Sequence, residues 1–255
     1  MIYTYDGSFY GLFTAIFEAY ATKTDPSQIV KKQALVPSIF DPSKDVETDS
    51  NKAERVLKGL RKRVSPQALR GIYKSFHSEL ADIELVIYNY VKLALQHTIT
   101  IEKDFRQAPV LRVSQVEKMV NREIHRMHAF VRFQQMSDGL YAATIKPDFD
   151  VIPFIGPHFR KRYADQQWLI YDVSRDYGLY YDLSSLTTVE IEDARWAGNG
   201  KISKSFLSDD ESQFQQLWRQ YFSTTGIDER NNPKLHLRHV PRRYWQFLPE
   251  KYLTD

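Results

Sequence analysis

The 255-residue chain carries 35 Lys and Arg against 32 Asp and Glu, a formal net charge of +3, and 42% of its residues are apolar, with 15 Phe, 16 Tyr and 4 Trp. That apolar content can build a core and excludes a globally disordered chain, while +3 is too small a sum to define a polyanionic partner, so the placement of charge matters more than its total. There is no Cys, which excludes a disulfide framework, a thiolate zinc site and an iron–sulfur cluster held by this chain alone.

The N-terminus has no basic region followed by an apolar run, so no secretory signal is expected. Ile2–Tyr5 reads as a short strand ending in the turn Asp6-Gly7-Ser8. Phe9, Leu12, Phe13, Ile16, Phe17 and Tyr20 then share one face at helical spacing. Residues 37–52 are rich in Pro, Ser and Asp and read as a loop or short strand. Four helices are expected next. The first spans about 51–63, with Asn51 and Glu54 to cap it, and the second opens at Ser65-Pro66. The third, about 81–97, is apolar nearly all round, which marks a buried helix, and no run reaches the ~18 apolar residues of a membrane span. The fourth opens at the capping box Ser114–Glu117 and runs through Met127.

The period then changes. Residues 130–134 and 140–145 read as a hairpin turned at Asp138-Gly139, 167–173 and 177–182 as a second hairpin, and 186–192 as a further strand. A helix is expected over 151–163 and another from the capping box Ser208–Glu211 to about Phe222. The tail, 226–255, carries Pro233, Pro241 and Pro249 and reads as irregular. The expected fold is therefore α+β: a helix-rich N-terminal half, then an antiparallel sheet built from two hairpins flanked by helices. A single domain over 1–255 is expected, with a sub-boundary near 104–112, where Arg106–Pro109 looks like a linker.

No phosphate loop, dinucleotide fingerprint, zinc-protease helix or nucleophile elbow occurs. What stands out is clustered charge. Seven cations and no acid lie from Arg55 to Lys74. Arg160, Lys161 and Arg162 form a second cluster. Arg230, Lys234, Arg238, Arg242 and Arg243 form a third, again without an acid, and run straight into Tyr244 and Trp245. Guanidinium groups beside flat rings suit phosphate and unpaired bases, although the same rings could anchor the tail to the core. Arg132, flanked by Val131 and Phe133, is expected to pair with an acid such as Asp148 or to face a ligand. Candidate catalytic groups are His125 and His128 on the fourth helix, Asp148 and Asp150 around Phe149, and His158. The two Asp residues equally suit a cap for the helix at Val151. Two His at helical spacing with no carboxylate pair beside them do not make a metal site, so no metal is expected.

Tyr5-Asp6-Gly7-Ser8, His125-Arg126-Met127, Phe130-Val131-Arg132-Phe133, Pro147-Asp148-Phe149-Asp150, the run His158–Asp165 and the close Pro241-Arg242-Arg243-Tyr244-Trp245 with Leu248-Pro249-Glu250 follow one another in an order that resembles a bacterial family of DNA-repair or DNA-metabolism proteins, a domain of unknown function. The resemblance implies a gene neighbour encoding a radical-S-adenosylmethionine protein and, in some members, fusion to a uracil-DNA-glycosylase-like domain; this chain reads as the stand-alone form. It implies no catalytic residues. The expected partners are DNA and the radical-S-adenosylmethionine iron–sulfur protein, in the cytoplasm, with no membrane and no cofactor in this chain. Residues 132, 160, 162, 238 and 242–245 are the expected DNA contacts. A DNA-processing enzyme with a His/Asp site and a protein-interaction scaffold are the alternatives.

Overall fold

The computed structural model describes residues 1–35, 42–97, 100–191, 196–197, 200–224 and 233–251. Residues 37–41 of the expected loop, residue 192 of the last expected strand, and Arg230 and Asn232 of the tail lie outside these. The chain groups into two compact units, Met1–Arg122 and Glu123–Asp255.

In the first unit, β1 (Ile2–Tyr5) is buried at every position and pairs in parallel with β2 (Gln28–Lys31) on one side and β3 (Ser43–Asp45) on the other. A strand bonded on both edges and covered on both faces suits this apolar and aromatic run. The turn after it is structural. Gly7 sits at φ +89°, a conformation open to a residue without Cβ. Ser8 caps α1 (Phe9–Ala21) by accepting the Gly11 N–H at 2.9 Å. Asp6 holds the turn, accepting from the Ser8 N–H and hydroxyl and from the Thr48 hydroxyl, all within 2.8 Å. Leu12, Phe13 and Ile16 are fully buried, each worth about 1.5–3 kcal/mol relative to exposure.

Helix α2 (Ser50–Arg61) is capped by Asp49, two residues before the expected Asn51. Helix α3 (Pro66–Phe76) takes the expected Ser65 cap, with Pro66 in its first turn. Helix α4 (Ile83–Gln96) buries Ile83, Ile87, Tyr88, Tyr90, Val91 and Ala94, in keeping with its apolar sequence. Helix α5 (Ala108–Phe130) starts six residues before the expected capping box. The Arg106–Pro109 stretch is thus the entry to a helix with Pro in its first turn, and Ser114 lies in the helix interior.

In the second unit, α5 ends at Phe130, where a strand was expected, because the Val131 N–H still bonds to the Met127 carbonyl at 3.1 Å. The sheet order is β4 (Gln134–Gln135), β5 (Tyr141–Ile145), β6 (Trp168–Asp172), β7 (Tyr177–Tyr181), β8 (Leu186–Glu190). The expected second hairpin forms as the antiparallel pair β6 with β7; the first forms as β4 with β5, with its first strand reduced to Gln134–Gln135 instead of 130–134. They join through a parallel β5–β6 pair, bridged by α6 (Ile152–Arg162); a parallel pair needs such a crossover. The sheet is therefore mostly antiparallel, and the fold is mixed α and β with helices dominating the N-terminal half. Helix α7 (Glu211–Thr224) and the tail follow. Among its described residues the tail is not irregular: it forms α8 (Pro233–His239) and 3-10 turns at Arg242–Phe247 and Pro249–Lys251. Tyr244, Phe247 and Leu248 drop into the core, at most 6% exposed. Among the described residues, no helix is long and apolar enough to cross a membrane.

Candidate functional site

Two features of the second unit have the makings of a site. The first is a cavity of about 670 Å³, walled by the end of α5, the β4–β6 face, α6, α7 and Pro249. Its floor is aromatic. Phe133 lies 5.2 Å from Tyr163 and 5.9 Å from Trp168, centre to centre, and Phe159 lies 6.1 Å from Trp168. Two histidines enter the wall. His128 and His158 stack face to face at 4.0 Å and 13°. Burial, then the neighbouring His158 and His125, push the His128 pKa down to about 4, so this imidazole is neutral at neutral pH. Two buried ring nitrogens, Trp168 Nε1 and His128 Nε2, have no hydrogen-bond partner among the described residues.

The mouth of the cavity is fixed by an ion pair. Arg132 bonds Glu250 at 2.7 Å, lies over the Trp218 ring, and shares that carboxylate with the Trp218 N–H at 3.0 Å. Burial raises the Glu250 pKa, but the Arg132 hydrogen bond and charge outweigh it and hold the carboxyl below the usual range. Arg132 thus pairs with an acid, though from a loop rather than a strand, and its partner is Glu250 rather than Asp148. Glu211 does not close a capping box with Ser208; its carboxylate takes the Gln135 N–H at 2.9 Å and the Gln215 amide at 3.1 Å.

The second feature is built on Glu123, 1% exposed on α5. It accepts the Asp148 N–H at 3.0 Å and the Tyr244 hydroxyl in a short hydrogen bond, and faces Arg126 at 3.2 Å and Arg243 at 3.8 Å. Arg243 also pairs with Asp148 at 2.5 Å and lies over the Tyr244 ring. Burial, and then the Glu123 charge, raise the Asp148 pKa against the pull of Arg243. Over this knot opens a cleft of about 330 Å³ lined by Lys146, Asp148, Ser174, Arg242, Arg243 and Gln246. Asp148 is taken by Arg243. Lys146 and Arg242 are exposed and have no carboxylate within salt-bridge distance among the described residues.

The other sequence candidates are dispersed. Asp150 accepts the Tyr177 hydroxyl in a short hydrogen bond, and burial with that acid drives the Tyr177 pKa upward. Neither Asp caps α6, whose first turn has no side-chain cap. Asp148 and Asp150 do not line the aromatic cavity, so the five candidate catalytic groups do not gather in one place. His125 is exposed. Stacked imidazoles send their in-plane lone pairs in parallel directions, which does not make a chelate, and among the described residues no three His, Asp or Glu are grouped to hold a metal ion. Arg160 bonds the Ser184 carbonyl at 3.0 Å and lies over Tyr181, while Arg162 lines the cavity beside Tyr163. Arg238 is exposed on α8. Tyr244 is an anchor. Trp245 sits half-buried between the cations of Arg242 and Lys251, its N–H on the Val240 carbonyl at 3.0 Å.

Fold and site together define a mixed α and β protein whose second unit carries an aromatic cavity and a basic cleft. The chain belongs to the family described as domain of unknown function DUF4130, whose model matches residues 81–250, from α4 to the last 3-10 turn. No curated protein and no solved structure matches it.

Proposed function

We propose that this chain is a cytoplasmic DNA-binding component of DNA repair or DNA metabolism, acting as the partner of a radical-S-adenosylmethionine iron–sulfur protein. The observation that carries the reading is the cleft in which Lys146, Arg242 and Arg243 meet a single carboxylate that Arg243 already neutralises. Two exposed cations left over in a cleft are a receptor for phosphate oxygens, and their counterions are released when a phosphate backbone replaces them. Arg238 on the preceding helix and the Arg242–Trp245 stack extend the same chemistry. The partner is supported by the resemblance of the sequence and by the absence of Cys, which leaves thiolate ligation of a cluster to another chain.

The test is DNA binding by fluorescence anisotropy at several salt concentrations, for wild type and for Lys146→Ala with Arg242→Ala. The double variant should bind every DNA sequence more weakly, and the slope of log affinity against log salt should fall by about one to two units. Unchanged binding and slope would remove the cleft as a DNA contact. The scaffold reading is favoured by one observation: Phe214, Leu217, Trp218 and Tyr221, at helical spacing on α7, are all exposed. It gains if the double variant binds DNA normally and changes at Leu217 abolish partner binding.

A further inference from the structure

The cavity between α5, α6, α7 and the sheet is separate from the cleft in its lining residues, and its chemistry is more selective than phosphate binding requires. Its floor is a set of flat rings, Phe133, Phe159, Tyr163 and Trp168, that offers faces and edges rather than aliphatic bulk. Trp168 is 1% exposed, yet its indole N–H meets no acceptor among the described residues. An indole nitrogen is a donor only, so a hydrocarbon ligand would leave it unsatisfied, and a buried unmet donor costs about 1–3 kcal/mol. His128 adds a second buried ring nitrogen without a partner; as a neutral imidazole it offers one donor and one acceptor. Arg162, on the same wall, has no carboxylate within salt-bridge distance among the described residues. The volume, about 670 Å³, falls in the range of roughly 300–1,000 Å³ typical of small-molecule sites.

We infer that this cavity is a nucleobase pocket: it stacks a planar heterocycle on the partly exposed Tyr163 ring, turns the edge of the base so that a carbonyl or ring-nitrogen acceptor meets the Trp168 N–H, and sets Arg162 against the attached phosphate. Stacking and edge hydrogen bonds are the means by which an unpaired base is held by protein. The base can come from an unstacked position in DNA or from a free nucleotide. The inference deepens the DNA-binding reading and rests on it for the first source only.

The experiment titrates the full chain with four ligands and follows tryptophan fluorescence, since Trp168 and Trp218 line the cavity. The ligands are nucleoside 5′-monophosphates, deoxyribose 5-phosphate, a single-stranded oligonucleotide, and an abasic oligonucleotide of equal length. Base-bearing ligands should quench the signal and bind about tenfold or more tighter than their base-free counterparts, the size expected of one stacked base. Trp168→Phe keeps a ring and removes the N–H; it should lower the base-dependent part about three- to tenfold and leave abasic binding unchanged. Because Trp168 is in the core, Phe214→Ala at the exposed mouth is the second variant, and it should also weaken base-dependent binding. Equal affinity for base-bearing and base-free ligands would overturn the pocket. So would wild-type affinity in both variants. If the abasic oligonucleotide binds through Lys146 and Arg242 while bases add nothing, the pocket falls and the DNA reading stands. If mononucleotides bind in a Trp168-dependent way and no oligonucleotide binds, the pocket stands with free nucleotide as its source and the DNA reading falls.

Discussion

Glu123 is the residue on which the tail is fastened. A carboxylate 1% exposed is tolerated because Arg126, Arg243, the Tyr244 hydroxyl and the Asp148 N–H all turn toward it. Removing one member strands the others in a site of low dielectric. Glu123→Ala should therefore cost about 3–5 kcal/mol in urea unfolding, and Tyr244→Phe, which loses a hydrogen bond to a charged group, about 1.5–3 kcal/mol. The two should fall short of additivity, because each removes the same contact; strict additivity would show that the contact contributes nothing. The same geometry separates two adjacent arginines that the sequence presents as equals. Arg243→Ala should lower the melting temperature, since it leaves Glu123 and Asp148 facing each other, whereas Arg242→Ala should not, its one side-chain contact among the described residues being the Trp245 ring. Equal melting temperatures for the two variants would dismiss this distinction. Glu123 is legible in the sequence. Val110, Val113, Val116, Val120 and Met127 are buried on α5, and Glu123 falls in step with them; a lone acid in an apolar stripe signals a buried partner. The partners Tyr244 and Asp148 were not legible, because they lie 121 and 25 positions away.

At the scale of elements, helices and hairpins with strong local signals were readable: Ser8 before α1, Ser65-Pro66 before α3, and the aromatic and β-branched runs of β6 and β7. Strand β2 was not, and β3 reads only as a loop or short strand within 37–52. They are four and three residues long, mostly polar and partly exposed, and what makes them strands is backbone pairing to β1. The tail misled for a different reason. Pro233 and Pro249 each open a helical turn, and Pro241 stands at the cap of another. Proline stops a helix from within but suits its first position, where no N–H bond is required. The packing of α6 on the sheet and the β6–β7 ladder each depend on a glycine that composition alone does not flag. A Cβ at Gly156 would stand 2.7 Å from Leu179 Cδ2 and 3.1 Å from Leu186 Cδ1, whereas one at Gly178 would stand 2.6 Å from the Ile170 carbonyl oxygen. Leucine methyls can yield and a ladder carbonyl cannot. Gly156→Ala should thus cost about 1–3 kcal/mol by overpacking, and Gly178→Ala more, read as shifts in the denaturation midpoint. The reverse order would mean that α6, rather than the β6–β7 ladder, is the rigid member.

For the whole molecule, the four tryptophans make the two units separable by spectroscopy. Trp168, Trp196, Trp218 and Trp245 all lie in Glu123–Asp255, so tryptophan fluorescence follows that unit alone while far-ultraviolet dichroism follows both. The units also differ in what acid does to them. In the first, Asp6 and Glu18 are held below the usual carboxylate range. Burial raises the Asp6 pKa, but its Ser8 and Thr48 hydrogen bonds outweigh it; for Glu18 the Lys44 and Lys52 hydrogen bonds lead. Stability from such groups is complete above their unfolded pKa and is lost as the pH falls through the folded one, which lies below the usual carboxylate range. In the second unit the first loss comes earlier. His128 titrates near 6.5 when unfolded and at about 4 when folded, so between those values the unfolded chain takes up a proton that the folded chain refuses, and stability falls as the pH falls. Asp148 and Asp172 run the other way: burial raises both, and protonation relieves them. A comparison with His128→Gln isolates the histidine, because the neutral amide cannot take the proton while His125, His158, Arg132, Arg162 and Glu211 around it are unchanged. Followed by tryptophan fluorescence, the thermal midpoint of the wild type should drop more steeply from pH 7 to pH 5 than that of His128→Gln. The far-ultraviolet signal, which carries both units, should lose less than the tryptophan signal over the same range, because the carboxylates of the first unit titrate below it. Parallel midpoint curves for the two proteins would mean that His128 accepts its proton in the folded state, and that the wall of the cavity is wetter than its buried nitrogens require.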